Sequence, residues 1–111
     1  MPHVIVEYAQ QLEKEIKIDE LLHVIHNAIA NSGLYKANQI KTRAYSFKQF
    51  TNADSAEPYI HIQARIKSGR DTDNKKQLSA AIIKSLADLN IPASAITVEV
   101  VDMERESYGK V

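Results

Sequence analysis

The first residue placed to do chemistry is Pro2. Once an initiator methionine ahead of it is removed, its nitrogen is a free secondary amine. An α-amino group ordinarily titrates at about 7.7–8.0. Burial in an apolar pocket beside cationic side chains lowers that value. An amine tuned close to the working pH can accept a proton and return it. Met-Pro alone is a common chain start and carries no chemistry, so the amine must also be held in place. The four histidines, His3, His23, His26 and His61, invite comparison with a metal site. His23 and His26 stand three apart on a helical pattern, but no carboxylate is evidently placed with them, and no metal is expected. Cysteine is absent, which excludes a disulfide scaffold, a thiol nucleophile and a thiolate metal site. With three glycines in the chain there is no glycine-rich phosphate loop, and there is no Gly-x-Ser-x-Gly elbow.

The elements that must position Pro2 follow from periodicity. Pro2 to Ala9 reads as a strand with apolar residues on both faces, as in an internal strand. Such a strand holds the proline nitrogen at the end of a sheet. Gln10 to Lys17 is polar, and Asp19 is expected to cap a helix whose buried stripe is Leu21, Leu22, Ile25, Ala28 and Ile29. Gly33 stands where that helix should stop. A second strand is expected over about Gln39 to Phe50. Lys41, Arg43, Tyr45 and Phe47 fall on one of its faces. After a polar turn, Asn52 to Glu57, Pro58 opens a third strand in which Ile60, Ile62, Ala64 and Ile66 alternate with polar or aromatic neighbours. Ser68 to Asp71 forms a turn, and Asp71 or Asp73 caps a second helix buried through Leu78, Ala81, Ile82, Leu86 and Leu89. Ile96 to Met103 is a fourth strand, followed by a polar tail from Glu104 to Val111.

The order is β-α-β twice, at an offset of roughly 55 residues. Each unit is a parallel crossover, right-handed by the general rule. The expected fold class is α+β, two β-α-β units forming a four-stranded sheet with both helices on one face, in a single domain over residues 1–111. The other face carries Ile5, Tyr45, Phe47, Tyr59, Val101 and Met103 among Gln63, Arg65, Lys67 and Glu99. A half-apolar face left open in one subunit is a surface for another, so a homo-oligomer is expected.

Lysine plus arginine equals aspartate plus glutamate, giving a formal net charge of zero. Nothing in that balance asks for nucleic acid or an anionic membrane. No apolar run approaches the roughly 20 residues of a membrane span, and the opening segment lacks the basic start of a signal peptide. The expected location is the cytoplasm.

Met-Pro-His-Val-Ile-Val-Glu at the start resembles the opening of 5-carboxymethyl-2-hydroxymuconate isomerases, a branch of the tautomerase superfamily. The resemblance continues in Asn31-Ser32-Gly33-Leu34 and in Ile40-Lys41-Thr42-Arg43, which is similar to the family's Ile-Arg-Ser-Arg strand. It returns in His61-Ile62-Gln63-Ala64-Arg65-Ile66-Lys67 and in Gly69-Arg70. It covers about residues 1–103, and the tail matches poorly.

The resemblance implies a proton shift carried out without metal or cofactor, with Pro2 as acid and base. It implies Arg43 and Arg70 as clamps for the carboxylates of a small-molecule substrate, a task that suits the planar guanidinium fork. Lys41 stands where relatives have a first arginine on this strand. Lys41 and Arg43 share a face, leaving open which of them touches substrate. Backbone N–H groups at the start of the second helix would add to the anion site. The aromatic residues common further along this strand in relatives are here Phe47 and Phe50, without tryptophan, a departure that bears on the shape of the apolar pocket and on the substrate. The implied assembly is a homotrimer. The alternatives are a tautomerase of another acid, such as a phenylpyruvate-like enol, or a non-catalytic oligomeric binding module on the same scaffold.

Overall fold

The computed structural model describes all 111 residues, Met1 to Val111. Strict alternation in the third strand, β3 (Tyr59–Lys67), sets the layering, since Ile60, Ile62, Ala64 and Ile66 are fully buried and the residues between them are not. The first strand, β1 (His3–Ala9), buries Val4, Val6 and Tyr8 on the same side. β1 lies between β3 and the second strand, β2 (Lys41–Phe47), and the fourth strand, β4 (Ala95–Met103), is on the other side of β3, giving the order β2-β1-β3-β4. β1 pairs parallel with β2, and β3 parallel with β4, as two β-α-β units require. The units join through an antiparallel β1/β3 ladder in which Val6 faces Ile62. The internal position expected for β1 from its two apolar faces is observed.

Both helices cover one face. α1 (Ile18–Asn31) buries Leu21, Ile25 and Ile29, and α2 (Thr72–Ala87) buries Leu78, Ile82 and Leu86. Each set steps by four residues, a single stripe on a helix of 3.6 residues per turn. With the buried strand residues, and with Leu12 and Ile40 from the connecting segments, these form one core cluster of 16 buried side chains. Each large apolar side chain buried there contributes roughly 1.5–3 kcal/mol relative to exposure. No helix is long and apolar enough to cross a membrane.

Four local expectations are corrected. Asp19 does not cap α1: the cap position is Lys17, without a side-chain bond, and Asp19 sits inside the first turn, accepting from the Glu20 N–H at 2.9 Å. Ile16 and Ile18, both packed on the core, draw the chain inward and start the helix earlier. Leu89 is 41% exposed, because α2 ends at Ala87 and the chain turns away through Asn90 at φ 51°. β2 is shorter than its pattern: Gln39 belongs to a 3₁₀ turn, and Phe50 lies past the strand, its ring 5.1 Å from that of Phe47. The tail is not merely polar. It forms a short turn over Arg105–Ser107 and brings Tyr108 back against His3, Oη to Nε2 at 3.0 Å.

Candidate active site

The antiparallel β1/β3 pairing puts the start of β1 and the end of β3 at the same end of the sheet. β4 ends there too, since it runs parallel to β3. A cavity of about 620 Å³ opens at this end, walled by Met1, Leu34, Tyr35, Lys36, Lys67, Arg70 and Arg105 among others. Its lining contains four cationic side chains and no carboxylate. A second cavity, of about 410 Å³, lies beside α1 between Ile16, Leu21, Val24, Leu89 and Ile91, away from these groups and flanked by Glu15 and Glu20.

The amino terminus is pinned at the cavity. The Met1 ammonium donates to the Gln39 carbonyl at 2.7 Å, and the Pro2 carbonyl accepts from the Lys41 N–H at 3.0 Å. Pro2 is buried, and with Met1 in place its nitrogen is a tertiary amide. The Met1 amine is held below its ordinary value, first by burial and then by the positive charges of Lys41, Lys67 and Lys110.

Arg70 reaches the cavity from the β3–α2 turn. Its Nη2 donates to the Leu34 carbonyl at 2.9 Å, and its guanidinium lies over the Tyr35 ring, 4.4 Å from the centroid. The remaining N–H donors of the fork are free for a ligand. Burial raises the Tyr35 phenol above its ordinary value, with the Arg70 charge opposing. The start of α2 is already occupied: the Asp71 carboxylate accepts from the Asn74 N–H at 2.8 Å, so this terminus carries its own anion.

Arg43 stands elsewhere, on the open sheet face outside the cavity wall. Its Nη1 approaches His3 Nδ1 at 3.2 Å. A guanidinium only donates, so Nδ1 is the acceptor and the ring proton is on Nε2, pointing at Tyr108 Oη. Burial first, and then the charges of Arg43, the amino terminus, Lys41 and Arg65, keep the His3 imidazole below its ordinary value. Lys41 is exposed beside this pair, close enough to act on the terminal amine but not on the cavity wall. Arg70 and the amino terminus therefore share a cavity, whereas Arg43 and Lys41 flank it.

Among the other histidines, His23 Nδ1 bonds the Asp19 carbonyl at 2.7 Å, and His61 bridges Thr97 Oγ1 at 2.7 Å and Glu99 at 2.5 Å. Lys67, Arg105 and Tyr35 were not anticipated at the site. The strand period could have found Lys67, which shares a face of β3 with Arg65 just before Gly69-Arg70. Arg105 lies in a tail without periodicity and gave no such signal.

The sequence model of the family described as 5-carboxymethyl-2-hydroxymuconate isomerase matches residues 2–107. The chain belongs to the 5-carboxymethyl-2-hydroxymuconate isomerase family. A relative, the 5-carboxymethyl-2-hydroxymuconate Delta-isomerase of Escherichia coli, is 25% identical over 79 residues. That match spans 69% of this chain and 63% of the relative, less than two-thirds of its length. A 5-carboxymethyl-2-hydroxymuconate isomerase from Deinococcus radiodurans superposes with a TM-score of 0.82 at 24% identity, covering 99% of this chain and 88% of that one. A fused 4-OT described as a symmetric trimer gives 0.76 at 19% identity, covering 98% of this chain and 93% of that one. The structural likenesses establish for this member of the 5-carboxymethyl-2-hydroxymuconate isomerase family the four-stranded, two-helix tautomerase fold.

Proposed function

We propose that the protein is a cofactor-independent isomerase that moves a proton within an unsaturated 2-hydroxy or 2-oxo carboxylic acid resembling 5-carboxymethyl-2-hydroxymuconate. The observation that carries this reading is the cationic, carboxylate-free cavity at the amino terminus, in a chain matched to an isomerase family from residue 2 onward. Loss of Met1 frees the Pro2 amine at the cavity edge. The burial and cationic charges that depress the Met1 amine would act on the proline nitrogen as well, shifting it toward its neutral form. Neutral Pro2 takes the hydroxyl proton of a conjugated dienol. It then returns that proton to a carbon of the chain, giving the unsaturated ketone. Arg70 holds a substrate carboxylate and disperses the dienolate charge that develops between the two transfers. Arg43 and Lys41, at the flank, come into play where the open sheet face meets another subunit.

That face supports a homotrimer, the state named for the fused 4-OT structure. It exposes Tyr45, 56% accessible, beside charged strand residues. Light scattering on the purified protein checks the assembly, and a monomer would remove the role given to Arg43 and Lys41.

Intact mass and an isomerase assay on a 2-hydroxymuconate dienol, run on the natural chain and on Pro2→Ala, test the mechanism. A mass short of one methionine, with activity lost in the variant, supports Pro2 as the acid and base. A retained Met1, or equal activity in Pro2→Ala, sinks the mechanism and favours a binding module.

A further inference from the structure

We infer that the carboxyl-terminal tail is part of the substrate cavity: Arg105, together with Lys67, forms a second carboxylate subsite beside Arg70 and selects dianionic acids over monoanionic ones. The inference deepens the isomerase reading and rests on its cavity. Arg105 is fixed from behind. Its backbone N–H donates to Ser68 Oγ at 3.4 Å and its Nε to the Ser68 carbonyl at 3.1 Å, while Ser68 donates its own N–H to the Met103 carbonyl at 2.8 Å. With Nε engaged, the two Nη groups are left for a ligand.

The guanidinium lies over the turn that carries Arg70. Gly69 sits at φ +123°, and a Cβ built there would be 3.6 Å from Arg105 Nη2. Lys67 is aligned by the same tail, its ammonium 5.2 Å from the centre of the Tyr108 ring. None of the three cations enters an ion pair. Asp102, on the adjoining strand, is paired with Lys75 at 2.6 Å. Three uncompensated cations held in one cavity repel each other, and an anion with two separated negative groups relieves that repulsion.

Two six-carbon dienoic acids isolate the second charge: trans,trans-muconate ends in two carboxylates, sorbate in one carboxylate and one methyl. Neither has the hydroxyl that the proton shift needs, so calorimetric titration reads binding alone. The natural chain should bind muconate about tenfold more tightly than sorbate. Arg105→Gln and Lys67→Met should each weaken muconate roughly fivefold while changing sorbate less than twofold, and Arg105→Lys should retain most of the preference. Equal affinity of the natural chain for the two acids would overturn the subsite. So would an Arg105→Gln variant that loses both acids alike or keeps muconate unchanged, since the tail would then act only as a strap. Turnover of a 2-hydroxymuconate, measured on the same samples, separates the two proposals. A preference for muconate without turnover leaves the subsite standing and removes the isomerase, and turnover without the preference does the reverse.

Discussion

The Arg70 guanidinium stacks on Tyr35, 4.4 Å from the ring centre, while its Nη2 is tied to the carbonyl of Leu34, the residue before. One arginine from the second β-α-β unit is thus oriented by two consecutive residues that follow the helix of the first. The stacking and the single carbonyl bond fix the plane of the fork and leave its outer edge toward the cavity. Replacing Arg70 with Gln should lower kcat/KM for a 2-hydroxymuconate on the order of 100-fold. Tyr35→Leu, which keeps the arginine but removes the face beneath it, should cost less, roughly fivefold, and Tyr35→Phe still less. Steady-state kinetics on the three variants check the order. A Tyr35→Leu enzyme as damaged as Arg70→Gln would mean that the ring itself, and not the guanidinium it supports, meets the substrate.

His3 offers a pH-dependent signature. Its folded pKa lies below the ordinary histidine value of 6.5. As pH falls through about 6.5, the unfolded chain takes up a proton before the folded one does, so the folded state loses stability. The loss grows until pH passes the folded pKa and is then constant. Nitrogen NMR should find the neutral ring protonated on Nε2, the form that Arg43 requires and to which the Tyr108 hydroxyl adapts as acceptor. Arg43→Gln should raise the His3 pKa only part of the way back, because burial is the larger cause. Full restoration to 6.5 would assign the depression to Arg43 alone.

The capping of α2 separates two aspartates that the sequence leaves equivalent. Asp71 accepts from the Asn74 N–H, whereas Asp73 lies inside the first turn. Asp71→Ala should cost about 1 kcal/mol. Asp73→Ala should cost only a few tenths, through the helix dipole alone. Chemical denaturation of the two variants distinguishes them, and equal losses would contradict the cap.

The fold was legible where one period decided it. Alternation in Tyr59–Lys67 and the four-residue steps of Leu21, Ile25 and Ile29 place buried residues without any knowledge of neighbours. The strand order was not legible, because alternation says which face a residue occupies and not which strand lies beside it. Of the candidate site, Arg70 was singled out by the family resemblance and not by its turn alone, and its cavity adjoins the amino terminus. The position of Arg43 outside the cavity depends on the β1/β2 register, which pairs Arg43 with Ile5, two residues in from the strand start, and leaves its guanidinium on the open face against His3. Arg105 was out of reach, since its place depends on Ser68, 37 residues away.

The central ladder should carry more stability than any surface feature. Ile62 is fully buried opposite Val6 on β1 and beside Val98 on β4, so its side chain is enclosed by strands on both sides and by the helix layer. Truncation there removes transfer free energy and also leaves a cavity that a paired strand cannot collapse to fill. Ile62→Ala should therefore cost roughly 2–5 kcal/mol. Ile83 has the same side chain on α2 but is 39% exposed, and Ile83→Ala should cost well under half as much because the alanine gains helix propensity as it loses contact. Chemical denaturation at a fixed protein concentration reads both. Comparable losses would mean that Ile83 is covered in the native assembly, placing a subunit contact on the helix layer instead of the open sheet face.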